Sequence, residues 1–192
     1  GIMRPHCGIN LAFANCSASP GSIGLISQSG ALCTALLDWA LPNKVGFSSV
    51  VSLGSSSDVD LGEILDYFVA DPKTENIFLY IENIKNARRF MSALRAAARC
   101  KPVLLIKVGR KFATTSAQGV LSHSGAPACA DDVFDAALRR AGVVRLENVG
   151  QMHATAQALF SNFHPRGNRL AIITNGGGPG VMAADHAVEI GI

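Results

Sequence analysis

The strongest constraint in this sequence is a steady alternation of short apolar runs and longer amphipathic segments. Apolar runs fall at 22–27 (SIGLIS), 47–54 (FSSVVSLG), 76–82 (NIFLYIE), 102–109 (PVLLIKVG) and 143–147 (VVRLE). Between and after them lie helix-length segments at 30–41, 60–71, 86–100, 130–142 and 149–163. A short, nearly continuous apolar run between turn residues reads as a strand buried on both faces. Such strands need helices above and below them, and strand–helix–strand connections make neighbouring strands parallel. The expected fold class is therefore α/β, a doubly wound parallel sheet. With 48% hydrophobic and only 6% aromatic residues, the core must be built from Val, Ile, Leu and Ala. A length of 192 residues suits one large domain, or one domain and part of another.

The order of elements predicts a flavodoxin-like domain over 21–163. Residues 1–20 carry no such pattern and are expected to be a linker lying across it. After HPRGN (164–168) the pattern restarts. RLAIITN is expected as a strand, and GGGPGVMAADHAVEI as a Gly-rich turn entering a helix. One strand and one helix cannot bury a core alone. Residues 164–192 thus read as the first strand and helix of a second flavodoxin-like domain, truncated in an excised fragment. The stretches IGLISQSGALCTALLDWA and LAIITNGGGPGVMAADHA echo one another as strand, polar turn, small residue and helix.

Several function classes are disfavoured. The net charge is +3 without a long basic run. Arg88, Arg89, Arg95 and Arg99 share a helix face that reads as solvated rather than as a nucleic-acid patch. Five cysteines without CxxC spacing argue against a disulfide framework or zinc site and for a reducing, cytoplasmic compartment. No apolar run approaches the roughly 20 residues that span a bilayer, and no signal peptide is visible.

Two Gly-rich turns invite an anion. In SQSGAL, Ser27, Ser29 and Gly30 sit where a strand gives way to a helix, so free amides and the positive helix end face the crevice. An ordinary serine N-cap accounts for the same letters. In TNGGGPGVM, Asn175, Gly176, Gly177 and Gly178 bare the backbone ahead of Pro179, and a tight structural turn is the competing reading. His123 lies in a long run of small and polar residues, GVLSHSGAPA, between a strand and a helix. Long loops in compact domains are functional or disordered. A ring nitrogen there can serve as base or nucleophile, or the residue is simply an exposed loop histidine. No second His, Cys or carboxylate sits at ligand spacing, which argues against a metal. Glu82 ends the third apolar run, where carboxylates face the ligand crevice of open α/β sheets, and could hold the tautomer of a histidine. Entry into the next helix is its plainer role. In SLGSSSDVD, Gly54 and Ser55 could line the same crevice, while Asp58 or Asp60 caps the next helix. A flavin-binding reading fails for want of a long Thr/Ser-rich phosphate loop and of stacking aromatics.

Taken together and in order, GSIGLISQSGAL, SLGSSSDVDLGEILDY, LYIENIKNARRF, KPVLLIKVGR, SHSGA…DDVFDAALRRAGVVR and RLAIITNGGGPGVMAADHA resemble the nucleoside-diphosphate-forming acyl-CoA synthetases, the family of succinyl-CoA synthetase and ADP-forming acetyl-CoA synthetase. GIMRPHCGINLAFA and LDWA are most similar to the branch fused to a GNAT protein acetyltransferase. The resemblance implies an acid–thiol ligase in which His123 is phosphorylated during turnover and Glu82 steadies it. It implies that the helix starts at Ser27–Gly30 and Asn175–Gly178 receive the phosphohistidine. It further implies CoA or acyl-CoA and ATP or ADP with Mg in the full-length protein, and none of them tightly bound by the fragment. The expected partners are a CoA-binding Rossmann domain, an ATP-grasp domain, a GNAT domain in the fused branch, and a small-molecule acid, with no nucleic acid or membrane. Self-association is left open. SHSGAPACA departs from the family's usual SHTGALAG, mildly at Ser124 and more at Pro127 and Cys129, where a different loop path from the family's is the expectation. A second reading is a non-catalytic acyl-CoA-sensing region that regulates an attached acetyltransferase.

Overall fold

A computed structural model describes residues 1–12, 14–108, 131–160 and 167–192. The chain divides into two compact units, Gly1–Ser161 and Asn162–Ile192.

The first unit contains β1 (Ile2–Arg4), a 3-10 turn (Pro5–Cys7), β2 (Ile9–Leu11), β3 (Pro20–Ser27), α1 (Gly30–Ala40), β4 (Phe47–Ser52), α2 (Leu61–Ala70), β5 (Asn76–Ile81), α3 (Ala87–Cys100), β6 (Val103–Lys107), α4 (Asp131–Ala141), β7 (Val144–Leu146) and α5 (Val149–Phe160). The seven strands form one sheet in the order β2-β1-β4-β3-β5-β6-β7. Strands β4, β3, β5, β6 and β7 are parallel. The chain runs from β3 through α1 to β4, then returns through α2 to β5 on the other side of β3. That path is the flavodoxin order, with its topological switch between β3 and β5.

The apolar runs are continuous because both faces of the sheet are covered. Along β5, Ile77, Leu79 and Ile81 point into a core built with Leu65 and Phe68 of α2, Leu94 of α3 and Leu138 of α4. Phe78 points the other way, into a core with Leu36 and Leu37 of α1 and Met152 of α5. Each such side chain, fully buried, contributes about 1.5–3 kcal/mol. Gly24 in β3 makes the first of these contacts possible, since a Cβ there would lie 2.7 Å from the Phe68 ring. Helix α2 opens on a capping box. Asp60 accepts the Glu63 amide at 2.9 Å, and Glu63 accepts the Asp60 amide at 2.8 Å. Asp60, not Asp58, is therefore the cap.

Residues 1–20 are more than a linker. β1 pairs antiparallel with β4 (Ile2 with Val51, Met3 with Val50), β2 pairs with β1, and Met3 is buried. Three-residue strands are too short to show a period of two, so only the open edge of β4 brings them into being. The sheet is consequently mixed, with a parallel body and an antiparallel margin.

In the second unit, α6 (Gly177–Glu189) forms as expected. The expected strand RLAIITN does not: residues 169–174 carry no ladder among the described residues, and Ile173 is 98% exposed. A strand exists through its neighbours' hydrogen bonds, and β-propensity alone does not supply them. No helix of the described residues is long and apolar enough to cross a membrane.

Candidate functional site

The switch between β3 and β5 opens a crevice at the carboxyl ends of both strands, the usual ligand position in open α/β sheets. Four of the residues singled out in the sequence meet at or beside it.

Ser27 closes β3 and is fully buried. Its hydroxyl donates to the Ser29 carbonyl at 2.8 Å and accepts the Ser29 amide at 3.1 Å. Ser27 therefore shapes the turn and has no donor left for a ligand. Ser29 is the N-cap of α1, accepting the Leu32 amide at 3.3 Å. The first i→i−4 bond is Cys33 to Ser29, at 3.2 Å. The Gly30 and Ala31 amides precede it and remain available to an anion at the positive end of the helix. Gly30 is not dictated by packing, for a Cβ there would touch only the Ser52 hydroxyl, at 3.6 Å. A cavity of about 410 Å³ lies beside this helix start, lined by Gly30, Ala31, Cys33, Thr34 and Ser52 among others. Burial pushes the Cys33 thiol up from its ordinary value.

Across the switch, Glu82 follows β5 and is exposed. Its backbone is fixed by a residue the sequence reading passed over, Gln28. The Gln28 amide oxygen accepts the amides of Glu82 at 2.7 Å and Asn83 at 2.9 Å, while its Nε2 donates to the Asn83 carbonyl at 2.9 Å. The Gln28 backbone amide donates to the Tyr80 carbonyl. Together these bonds stitch the β3 turn to the β5 turn. Burial, and secondarily the Glu82 charge, raise the Tyr80 hydroxyl above its ordinary value. The only signal for Gln28 in the sequence was its position between two serines at a strand end.

Gly54 and Ser55 lie in the β4–α2 loop at the same end of the sheet. Gly54 has φ +62°, a conformation that favours glycine. Ser55 is exposed and its hydroxyl sits 3.4 Å from that of Ser57. Ser56 also takes a left-handed φ of 54°, and Lys85 Nζ donates to its carbonyl at 2.9 Å, tying this loop to the one after Glu82.

The second unit repeats the turn chemistry of the first. Thr174 Oγ1 donates to the Gly176 carbonyl at 3.0 Å and accepts the Gly176 amide at 3.1 Å, the same two bonds that Ser27 makes with Ser29. Gly176 is the N-cap of α6 and has no side chain to occupy an amide, while Asn175 is exposed beside it. A Cβ at Gly177 or Gly178 would meet nothing within 4 Å. The helix start is open to close approach by an anion. Thr174, like Gln28, was missed from the sequence; the hydroxyl two residues before each cap was the signal.

His123, with Pro127 and Cys129, lies outside the described residues. Among the described residues no group of three or more His, Cys, Asp or Glu could hold a metal ion.

Comparison with known proteins accords with this geometry. The chain is 40% identical over 192 residues to the alpha subunit of an ADP-forming acetate–CoA ligase I of Pyrococcus furiosus, covering all of this chain and 41% of that one. It is 37% identical over its whole length to the ADP-forming acetate–CoA ligase I of Archaeoglobus fulgidus, of which it spans 27%. The structure of a dinucleotide-forming acetyl-coenzyme A synthetase 1 from Ca. Korarchaeum cryptofilum, in complex with phosphate and ADP, superposes with a TM-score of 0.89 at 33% identity, over all of this chain and 41% of that one. The chain thus spans less than half the length of these relatives. The succinyl-CoA ligase like flavodoxin domain matches residues 20–159, and this chain belongs to that family.

Proposed function

We propose that this chain supplies the phosphohistidine step of an ADP-forming acyl-CoA ligase. The observation that carries the reading is the open start of α1 at the β3/β5 switch, facing the turn that bears Glu82. The relatives' names supply the reaction class.

In this reading, acyl-CoA and inorganic phosphate give an acyl phosphate and the free CoA thiol. A neutral His123 ring nitrogen attacks the phosphorus, the bond to the acyl oxygen breaks, and the carboxylate leaves. The phosphoryl group then passes to ADP, giving ATP and restoring the imidazole. Glu82 accepts the other ring N–H, which fixes the tautomer and offsets the charge that develops on the ring. The amides of Gly30 and Ala31 steady the phosphoryl oxygens at one station. Those of Gly177 and Gly178 steady them at another. A helix N-terminus favours an anion by about 0.3–1 kcal/mol, and by up to about 2 kcal/mol when partly buried. Such positioning and charge stabilisation make up most of phosphoryl-transfer catalysis. Ser27 and Thr174 act indirectly, by shaping the turns that present those amides. Gly54 and Ser55 border the path of the acyl substrate.

Residues 164–192 belong, in this reading, to a second flavodoxin-like domain. CoA binding and nucleotide exchange with Mg reside in a Rossmann domain and an ATP-grasp domain beyond the described part, so the 192 residues alone do not make acyl-CoA. The test is incubation of the full-length enzyme with γ-³²P-ATP. Acid-labile label is expected on the wild type and lost in His123→Ala. An unlabelled wild type, or a labelled His123→Ala, overturns the proposal.

A further inference from the structure

One buried charge takes no part in the relay proposed above. Arg145 stands in β7, opposite Leu105 of β6, and its side chain is only 7% exposed. A guanidinium stays charged at any working pH, so burying it is costly unless its N–H groups are paired. Here they are paired sparingly. Nη2 donates to Asp131 Oδ1, while Nε and Nη1 have no hydrogen-bond partner among the described residues. Asp135 lies 3.6 Å from Nη1, outside hydrogen-bond reach, and is itself engaged by Arg139 at 2.6 Å. The Phe134 ring, its centre 5.6 Å from Cζ, steadies the charge from the α4 side. Buried ion pairs can often be replaced by apolar residues at no loss of stability, so this arrangement is weak as a stabilising device alone. Its directed bond points to one place, residue 131.

Asp131 is the first residue of α4, and His123 lies eight residues before it. The body of the helix is held by the core, through buried Phe134 and Leu138. Its first turn has no such anchor: Asp131 is half-buried, and Asp132 and Val133 are exposed. Helix ends fray unless they are tied down. The bond from Arg145 ties this end to β7, within the sheet.

We propose that Arg145 is a positioning residue for the His123 step: by holding Asp131, it fixes the point from which the chain runs back to His123. The inference rests on the relay reading for the chemistry at His123. The test is labelling of the full-length enzyme with γ-³²P-ATP, read as an initial rate per folded molecule, with circular dichroism reporting the fold. Asp131→Asn is expected to lower the maximal rate about 10–100-fold, the effect of misplacing a reacting group by about 1 Å, with the ATP concentration at half-maximal rate unchanged. Arg145→Lys keeps the charge but not the fork and should fall likewise. Asp131→Glu should recover part of the rate. Asp132→Asn removes the same charge from the same helix turn, away from Arg145, and should label as the wild type does. A folded Asp131→Asn that labels at the wild-type rate, or falls no further than Asp132→Asn, removes the positioning role and leaves the relay standing. An unlabelled wild type overturns the relay and this inference with it.

Discussion

Replacing Gln28 by Leu tests whether the two turns at the switch act as one unit. The side chain makes three hydrogen bonds to the Glu82–Asn83 backbone, at 2.7, 2.9 and 2.9 Å. A neutral hydrogen bond contributes about 0.5–1.5 kcal/mol net, so complete loss of the three amounts to roughly 1.5–4.5 kcal/mol. Glu82 is exposed, and water can take up its freed amide, which moves the expected cost to about 1–3 kcal/mol. For a unit of this size that is a fall in Tm of about 2–12 °C. Leu is close to Gln in volume, so no cavity contributes to the change. The assay is urea unfolding of the chain beside His123 labelling in the full-length enzyme. Labelling should fall more steeply than stability, because Glu82 loses its fixed position. Gln28→Glu retains the acceptor oxygens and should recover part of both. A Gln28→Leu variant that loses less than about 0.5 kcal/mol and labels at the wild-type rate would refute the argument.

Two further outcomes concern stability against pH. Burial alone would raise Asp71, but the Thr74 hydroxyl, the Lys73 amide, Arg4 and Lys101 outweigh it and hold its carboxyl below the ordinary value of 3.8. Its stabilisation is then fully present above pH 3.8 and lost as the pH falls through the lower folded value. Asp71→Asn should cost about 3 kcal/mol near neutrality and flatten the acid limb of the urea-midpoint profile. His153 stacks on Trp39 with ring centres 3.9 Å apart and planes 4° from parallel, and its Nε2 is buried without a partner. Burial lowers its pKa below 6.5. Stability is therefore full above pH 6.5 and declines as the pH falls through the folded value. His153→Phe keeps the stack and should remove that decline when Tm is compared at pH 5 and pH 7.5.

The sequence by itself determined the body of the fold. Runs such as NIFLYI are apolar at every step because residues facing both ways are buried, and that demand is readable without coordinates. It likewise placed Ser29 at a helix start and Glu82 at a strand end, since a cap and a strand terminus are local features. What only the tertiary structure decided depends on partners distant in the chain. β1 and β2 form because β4 has a free edge nearly 50 residues away in sequence, whereas residues 169–174, apolar enough to read as a strand, carry no ladder among the described residues. Ser27 stands at the anion-ready turn in the sequence, yet its hydroxyl is spent on Ser29. Gln28 became part of the site only when β5 was laid beside β3, which brought Glu82 and Asn83 within reach of a side chain 54 and 55 residues earlier. Propensity and periodicity act over a few residues, whereas hydrogen-bond pairing and cavity shape are settled by segments that meet only after the sheet has closed.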